Sequence, residues 1–143
     1  MSIKRTGSAV WQGGIKDGKG TVSTASGALQ ELPYSFSTRF EGEQGTNPEE
    51  LIGAAHAGCF SMALSKILGD SDLKAERLET TAEVSLNQVE GGFAIEAIHL
   101  TLKAKVPGAD AATVEELASK AKAGCPVSKL FNATITLDVQ TVD

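Results

Sequence analysis

Between Leu51 and Leu68 the polar side chains are His56, Ser61, Ser65 and Lys66, and they fall all around the helical wheel. A helix that is apolar on every side has to be covered on every side. A single curved sheet folded from a chain of 143 residues covers one side of such a helix. A second copy of the chain is expected to cover the other, with Ala54, Ala55, Ala57 and Gly58 permitting close helix contact, so the expected unit is a homodimer. The helix has a clear start in Thr46-Asn47-Pro48-Glu49-Glu50: Asn47 suits the N-cap, Pro48 the first helical position and Glu50 the capping-box acid. Gly69 is the expected stop, giving a rod about 30 Å long. The longest apolar stretch, Leu51 to Ala63, is expected to be too short for a bilayer span.

The remaining elements are shorter. Segments 4–12, 19–24 and 34–40 read as strands punctuated by Gly13-Gly14, Gly27 and Pro33. The third places Tyr34, Phe36, Thr38 and Phe40 on one face. Beyond the long helix, Ala82, Val84 and Leu86 alternate inward. After a Glu90-Gly91-Gly92 turn, Ile98, Leu100, Leu102, Ala104 and Val106 do the same. Val114, Leu117, Ala118 and Ala121 have helical spacing between Asp110 and Ala123, with Gly124 as terminator and Cys125-Pro126 opening a further short turn. A last strand from Ala133 to Thr141 turns Ile135, Leu137 and Val139 inward. The order β-β-β-α-β-β-α-β, dominated by hairpins, predicts an α+β fold with antiparallel sheet, in one domain spanning 1–143.

Composition narrows the function. The net charge of −5, the pI near 5.0 and the absence of a basic block remove the electrostatic case for nucleic acid. Hydrophobic residues at 41% and charged residues at 22% fit neither a disordered tail nor a membrane protein. With 5% aromatic residues and 15 Gly, the core must be assembled from small side chains at close approach. MSIKRTGSAVWQGG has no apolar run of signal-peptide length, so a cytoplasmic location is expected. In a reducing compartment two cysteines point to chemistry or metal, or to nothing, more than to a static bridge.

Those cysteines differ in setting. Cys59 lies mid-helix in Ala57-Gly58-Cys59-Phe60-Ser61, where the ordinary explanation is a small buried hydrophobe. Cys125 lies at a helix junction, where free backbone N–H groups favour a thiolate; a structural loop cysteine is the ordinary alternative. Were the two helices to pack, the pair could close a disulfide. Arg39, one of three arginines, immediately precedes an acidic stretch of Glu41, Glu43, Glu49 and Glu50. Most arginines are solvated surface charges. With Glu50 occupied by the cap, however, Glu49 is free to grip Arg39, whose remaining donors could lower a nearby thiol pKa and orient an oxygen ligand. His56 and Cys59, at i and i+3, share a helix face; with Cys125 they form a conceivable zinc set lacking a fourth ligand. His99 alternates outward with Thr101, Lys103 and Lys105 and reads as a surface histidine.

Thr46-Asn47-Pro48-Glu49-Glu50-Leu51-Ile52-Gly53-Ala54-Ala55-His56-Ala57-Gly58-Cys59-Phe60, followed by Ala121-Lys122-Ala123-Gly124-Cys125-Pro126-Val127-Ser128, resembles the OsmC/Ohr family. The likeness runs over essentially the whole chain. It is closer to the OsmC branch through Val10-Trp11, Gly18-Lys19-Gly20-Thr21-Val22-Ser23-Thr24 and Arg39-Phe40-Glu41-Gly42. The resemblance implies antiparallel sheets wrapped around two central helices in an intertwined homodimer. It implies a thiol-dependent peroxidase acting on organic hydroperoxides in oxidative and osmotic stress defence. In it Cys59 is the peroxidatic cysteine, Cys125 the resolving cysteine, and Arg39 with Glu49 the pair that activates the thiolate. It further implies a dithiol reductant, a lipoylated protein in preference to thioredoxin, and no flavin, haem or metal. The chain departs from the Ohr branch in one place, carrying Lys16 and Lys19 in the first hairpin where that branch has its activating arginine; Arg39 is the expected replacement.

Helix arithmetic adds a constraint. Glu49 and Cys59 are ten residues apart, so in one continuous helix they are separated by about 15 Å along the axis. The expected solution is a two-fold pairing in which Glu49 serves the partner's site. Two rival readings are a non-redox small-ligand stress protein, which would form no disulfide after peroxide, and a zinc protein built on His56, Cys59 and Cys125. A hydrolase is weaker, since His56 is the one evident base for a cysteine nucleophile.

Overall fold

A computed structural model describes residues 1–143. The chain divides into two compact units, Met1–Leu51 and Ile52–Asp143.

In the first unit, β1 (Gly7–Gln12), β2 (Lys19–Thr24) and β3 (Leu32–Tyr34) form an antiparallel sheet in that order. The chain then departs from the expected strand over 34–40. Residues Phe36–Phe40 form a short helix, α1. Alternation of Tyr34, Phe36, Thr38 and Phe40 favours a strand, but a capping box decides the outcome. The Ser35 hydroxyl accepts from the Thr38 N–H at 3.3 Å, and the Thr38 hydroxyl accepts from the Ser35 N–H at 2.8 Å. Both bonds require the helical turn and would be lost in an extended chain.

Helix α2 (Pro48–Asp70) starts as its sequence dictates and continues one residue past Gly69. Asn47 Oδ1 accepts from the Glu50 N–H at 2.8 Å, while Asn47 Nδ2 donates to the Glu50 carboxylate at 2.6 Å. The box thus closes side chain to side chain. From Ile52 onward α2 belongs to the second unit, where Gly53, His56, Phe60, Leu64 and Leu68 form one buried stripe. Gly53 permits this, because a Cβ there would stand 3.0 Å from the Ala82 carbonyl oxygen. Opposite lie Ala54, Ala55, Gly58, Met62, Ser65 and Lys66, all exposed in the protomer. At 23 residues, with a mean hydropathy of 1.4 over its best window, the whole of α2 is long and apolar enough to cross a membrane on length and composition alone, a test that the core helix of a folded domain also passes.

The second sheet runs β4 (Arg77–Val89), β5 (Gly92–Lys105), β6 (Thr134–Thr141). β4 and β5 are an antiparallel hairpin turning at Gly91 (φ +87°), with a register shift at Ser85/Leu86. β6 pairs with β5 in parallel, so this sheet is mixed and not wholly antiparallel. The reason is the connection: α3 (Ala111–Gly124) and α4 (Pro126–Leu130) intervene, and such a crossover returns the chain in the same direction. Phe60, Leu64 and Leu68 pack in one core with Ile98, Leu100 and Leu102 of β5 and Val114, Leu117, Ala118 and Ala121 of α3.

Candidate active site

Cys125 is both the last cap of α3 and the first of α4, a position forced by Pro126 at the first turn of the second helix. Its side chain is fully buried, whereas Cys59 on α2 is half-buried. The two sulfurs lie 2.8 Å apart as free thiols. Sequence reasoning placed them on different helices, and the fold brings them together.

The pair is electrically uneven. Burial pushes the Cys59 thiol up, and its hydrogen bond and repulsion with Cys125 add to this against a weaker opposing bond from the Val127 N–H. Burial also pushes Cys125 up. There it is outweighed by hydrogen bonds from Cys59, from the Ser128 N–H and hydroxyl and from the Val127 N–H, so Cys125 falls below the ordinary thiol value. Of the two thiols Cys125 is thus the readier to ionise and Cys59 the less ready. Oxidation also requires access, and of the two sulfurs Cys59 is the one solvent reaches.

The second pair belongs to the unit Met1–Leu51. Arg39, near the end of α1, meets Glu49 in the first turn of α2 in a two-pronged ion pair, Nε to Oε1 at 3.1 Å and Nη2 to Oε2 at 2.9 Å. Such a pair fixes the guanidinium plane. The Arg39 guanidinium also stacks over the Phe40 ring, 5.3 Å from its centroid. Beside it, Trp11, Ile15, Tyr34, Ser35, Phe36, Arg39 and Phe40 line a mostly apolar cavity of about 260 Å³. Lys16, from the hairpin position discussed above, is directed over the Phe36 ring at 5.5 Å.

His56 is completely buried. Its Nε2 lies 2.7 Å from the Ser128 hydroxyl, and its ring is edge-on to Phe131. Burial lowers its pKa and keeps the imidazole neutral. No group of three His, Cys, Asp or Glu side chains is arranged to hold a metal ion, so the zinc set of His56, Cys59 and Cys125 is not assembled. His99 is partly exposed and bonded through Nε2 to Asp138 at 3.1 Å and through Nδ1 to Thr136. Ser128 is the site residue that sequence reasoning quoted without using. Its signal was its place three residues after Cys125, in the first turn of α4.

A protein-family model described as OsmC-like protein matches residues 41–140. The chain is 59% identical over 140 residues to the peroxiredoxin OsmC of Escherichia coli K12, covering 98% of each. It is 38% identical over 101 residues to the organic hydroperoxide resistance protein OhrA of Bacillus subtilis, covering 68% of this chain and 69% of that one. The crystal structure of OhrB from Bacillus subtilis superposes with a TM-score of 0.69 at 27% identity, covering 96% of this chain and 98% of the other.

Proposed function

The chain belongs to the OsmC-like protein family, and on that premise we propose that it is a thiol-dependent peroxidase that reduces organic hydroperoxides to alcohols in stress defence. The observation that carries this reading is the 2.8 Å approach of an accessible Cys59 to a buried Cys125.

The chemistry follows from one proton shared by two sulfurs. With the charge moved to Cys59, its thiolate attacks the distal peroxide oxygen; an S–O bond forms and the O–O bond breaks. The departing alkoxide takes the Cys125 proton and leaves as the alcohol. Cys59 is then a sulfenic acid and Cys125 a thiolate. Attack by Cys125 forms the disulfide and expels hydroxide, and an external dithiol restores both thiols. A resolving thiol this close arrests oxidation at its reversible stage.

Moving the charge to Cys59 needs a cation, because burial alone opposes it. Arg39, oriented by Glu49, is the group we assign to that task. Glu49 and Cys59 stand ten residues apart on one continuous helix, about 15 Å along its axis. The pair therefore serves the site of a second copy, docked through the exposed Ala54, Ala55, Gly58 and Met62 stripe of α2. The working unit is a homodimer in the cytoplasm, and the reductant a dithiol of the lipoyl type. The apolar cavity beside Arg39 suits an alkyl peroxide better than a small hydrated one.

The test is peroxide consumption with dihydrolipoamide against thioredoxin, comparing cumene hydroperoxide with hydrogen peroxide. The expected result is fast turnover of the organic peroxide with the small dithiol. Equal rates for all four combinations would remove the substrate and reductant assignments. Sedimentation gives the assembly, and a monomer at working concentration would end the dimeric site.

A further inference from the structure

The apolar cavity beside Arg39 has a polar neighbour in the same unit, and the mechanism above does not use it. This second cavity has a volume of about 430 Å³, is lined by Lys16, Lys19, Ser37 and Glu43 among others, and shares Tyr34 and Ser35 with the apolar one. The turn between β1 and β2 feeds both. Within it the Gly18 N–H donates to the Gly14 carbonyl at 2.9 Å, and the Gly14 N–H donates to Asp17 Oδ1 at 3.1 Å. Two consecutive side chains are thereby presented, Ile15 in the wall of the apolar cavity and Lys16 in the wall of the polar one. Lys16 Nζ stands 5.5 Å from the centroid of Phe36, itself part of the apolar wall, so this ammonium marks the boundary between the two. Asp17 and Glu43, the carboxylates of the polar cavity, form no ion pair with Lys16 or Lys19. Lys16 has no anion of its own.

Size bounds what such a pair of cavities takes. At about 260 Å³ the apolar one falls short of the roughly 300–1,000 Å³ of a cavity that encloses a whole small-molecule ligand. We propose that Lys16 is a specificity-determining residue: its ammonium binds the carboxylate of a long-chain hydroperoxide whose apolar body fills the cavity beside Arg39 and whose charged end passes Tyr34 and Ser35 into the polar one. The inference rests on the peroxidase reading and deepens it by naming the substrate class, an amphipathic hydroperoxide that carries a negative charge. Lys19 adds a second positive charge to the cavity that receives that end. Lys16 takes no part in making or breaking bonds; it holds the far end of the chain while the O–O bond is attacked as described above. An ester of the same chain fills the apolar cavity equally well but offers Lys16 no charge. Acid and ester therefore differ by this contact alone.

The experiment measures kcat/KM of the full-length protein with dihydrolipoamide for three peroxides: linoleic acid hydroperoxide, its methyl ester and cumene hydroperoxide. The two long-chain substrates are kept below their micelle-forming concentrations. The quantity read is the ratio of acid to ester, which cancels any general effect of a substitution on folding or on the sulfurs. The parent should favour the acid about fivefold, the scale of one exposed ion pair. The gain should lie in KM and fade as salt is raised. Lys16→Gln should bring the ratio to about one, and Lys16→Arg, which keeps the charge, should retain the preference. A ratio of one in the parent, a preference that survives Lys16→Gln or high salt, or one that Lys16→Arg loses would overturn the proposal; turnover of cumene hydroperoxide in the same protein would leave the peroxidase reading standing. A parent that consumes none of the three would overturn the peroxidase reading, and the anchor with it.

Discussion

The two units solve different problems. Every residue of the buried apolar core, from Phe60 to Ala121, lies in Ile52–Asp143; in Met1–Leu51 the buried side chains are Thr38 and Asn47, both polar and both engaged in helix caps. β1 is exposed along its whole length. The sulfur pair is thus held by packing, and the ion pair by short-range hydrogen bonds that set α1 and the start of α2. Atoms that must meet within a bond length are built on the rigid part. The absence of an apolar core in the first unit is also what a chain shows when part of its burial comes from a second copy.

Variants can break or sharpen this contrast. The largest effect belongs to the sulfurs: Cys59→Ser should lower organic peroxide turnover by about three orders of magnitude or more, the scale of losing a nucleophile. Cys125→Ser should retain a single oxidation event and stall, as peroxide consumed per protein will show. Full activity in the Cys59 variant would falsify the assignment. Next comes the core: Phe60→Ala should cost about 3–5 kcal/mol in urea unfolding, since its side chain is wholly enclosed. Arg39→Ala should then slow alkylation of Cys59 near pH 7 by about tenfold through a raised thiol pKa; unchanged alkylation would point to another activating cation. A smaller effect is expected from acid. His56 is held below its ordinary 6.5, so the unfolded chain takes up that proton first. The stability is intact above about pH 6.5 and is lost as pH falls below it. Urea midpoints at two pH values should show this slope, and His56→Gln should flatten it. The smallest change is Val10→Ser on β1, within about 0.5 kcal/mol in dilute protein. A cost that grows with protein concentration would reveal cover by a second copy.

Legibility in the sequence followed the range of the forces. The start of α2, the approximate span of α3, the β4–β5 hairpin and the inward faces of β4, β5 and β6 were all readable, because each is decided within a few residues. The approach of the two cysteines and the Arg39–Glu49 ion pair were also foreseeable as contacts, and the fold forms both. Two misreadings have local causes. Alternating aromatics over 34–40 fit a strand until the reciprocal Ser35–Thr38 bonds are counted, and hairpin-rich order suggested antiparallel pairing where a helical crossover makes β6 parallel. The His56–Ser128 contact joins positions 72 residues apart and has no trace in spacing. Nor does spacing show which of two thiols keeps the proton, since that depends on donors assembled by folding.

Cys59 and Cys125 are separated by 66 positions, nearly half the chain. Linking them ties the long helix to the joint between the two later helices and closes a ring that an unfolding molecule must keep. A ring of that size removes about 4 kcal/mol worth of disorder from the denatured ensemble. The spent form should therefore outlast the ready form under heat, and melting temperature becomes a gauge of how far a population has discharged. Cutting that link with a dithiol should lower the melting temperature again.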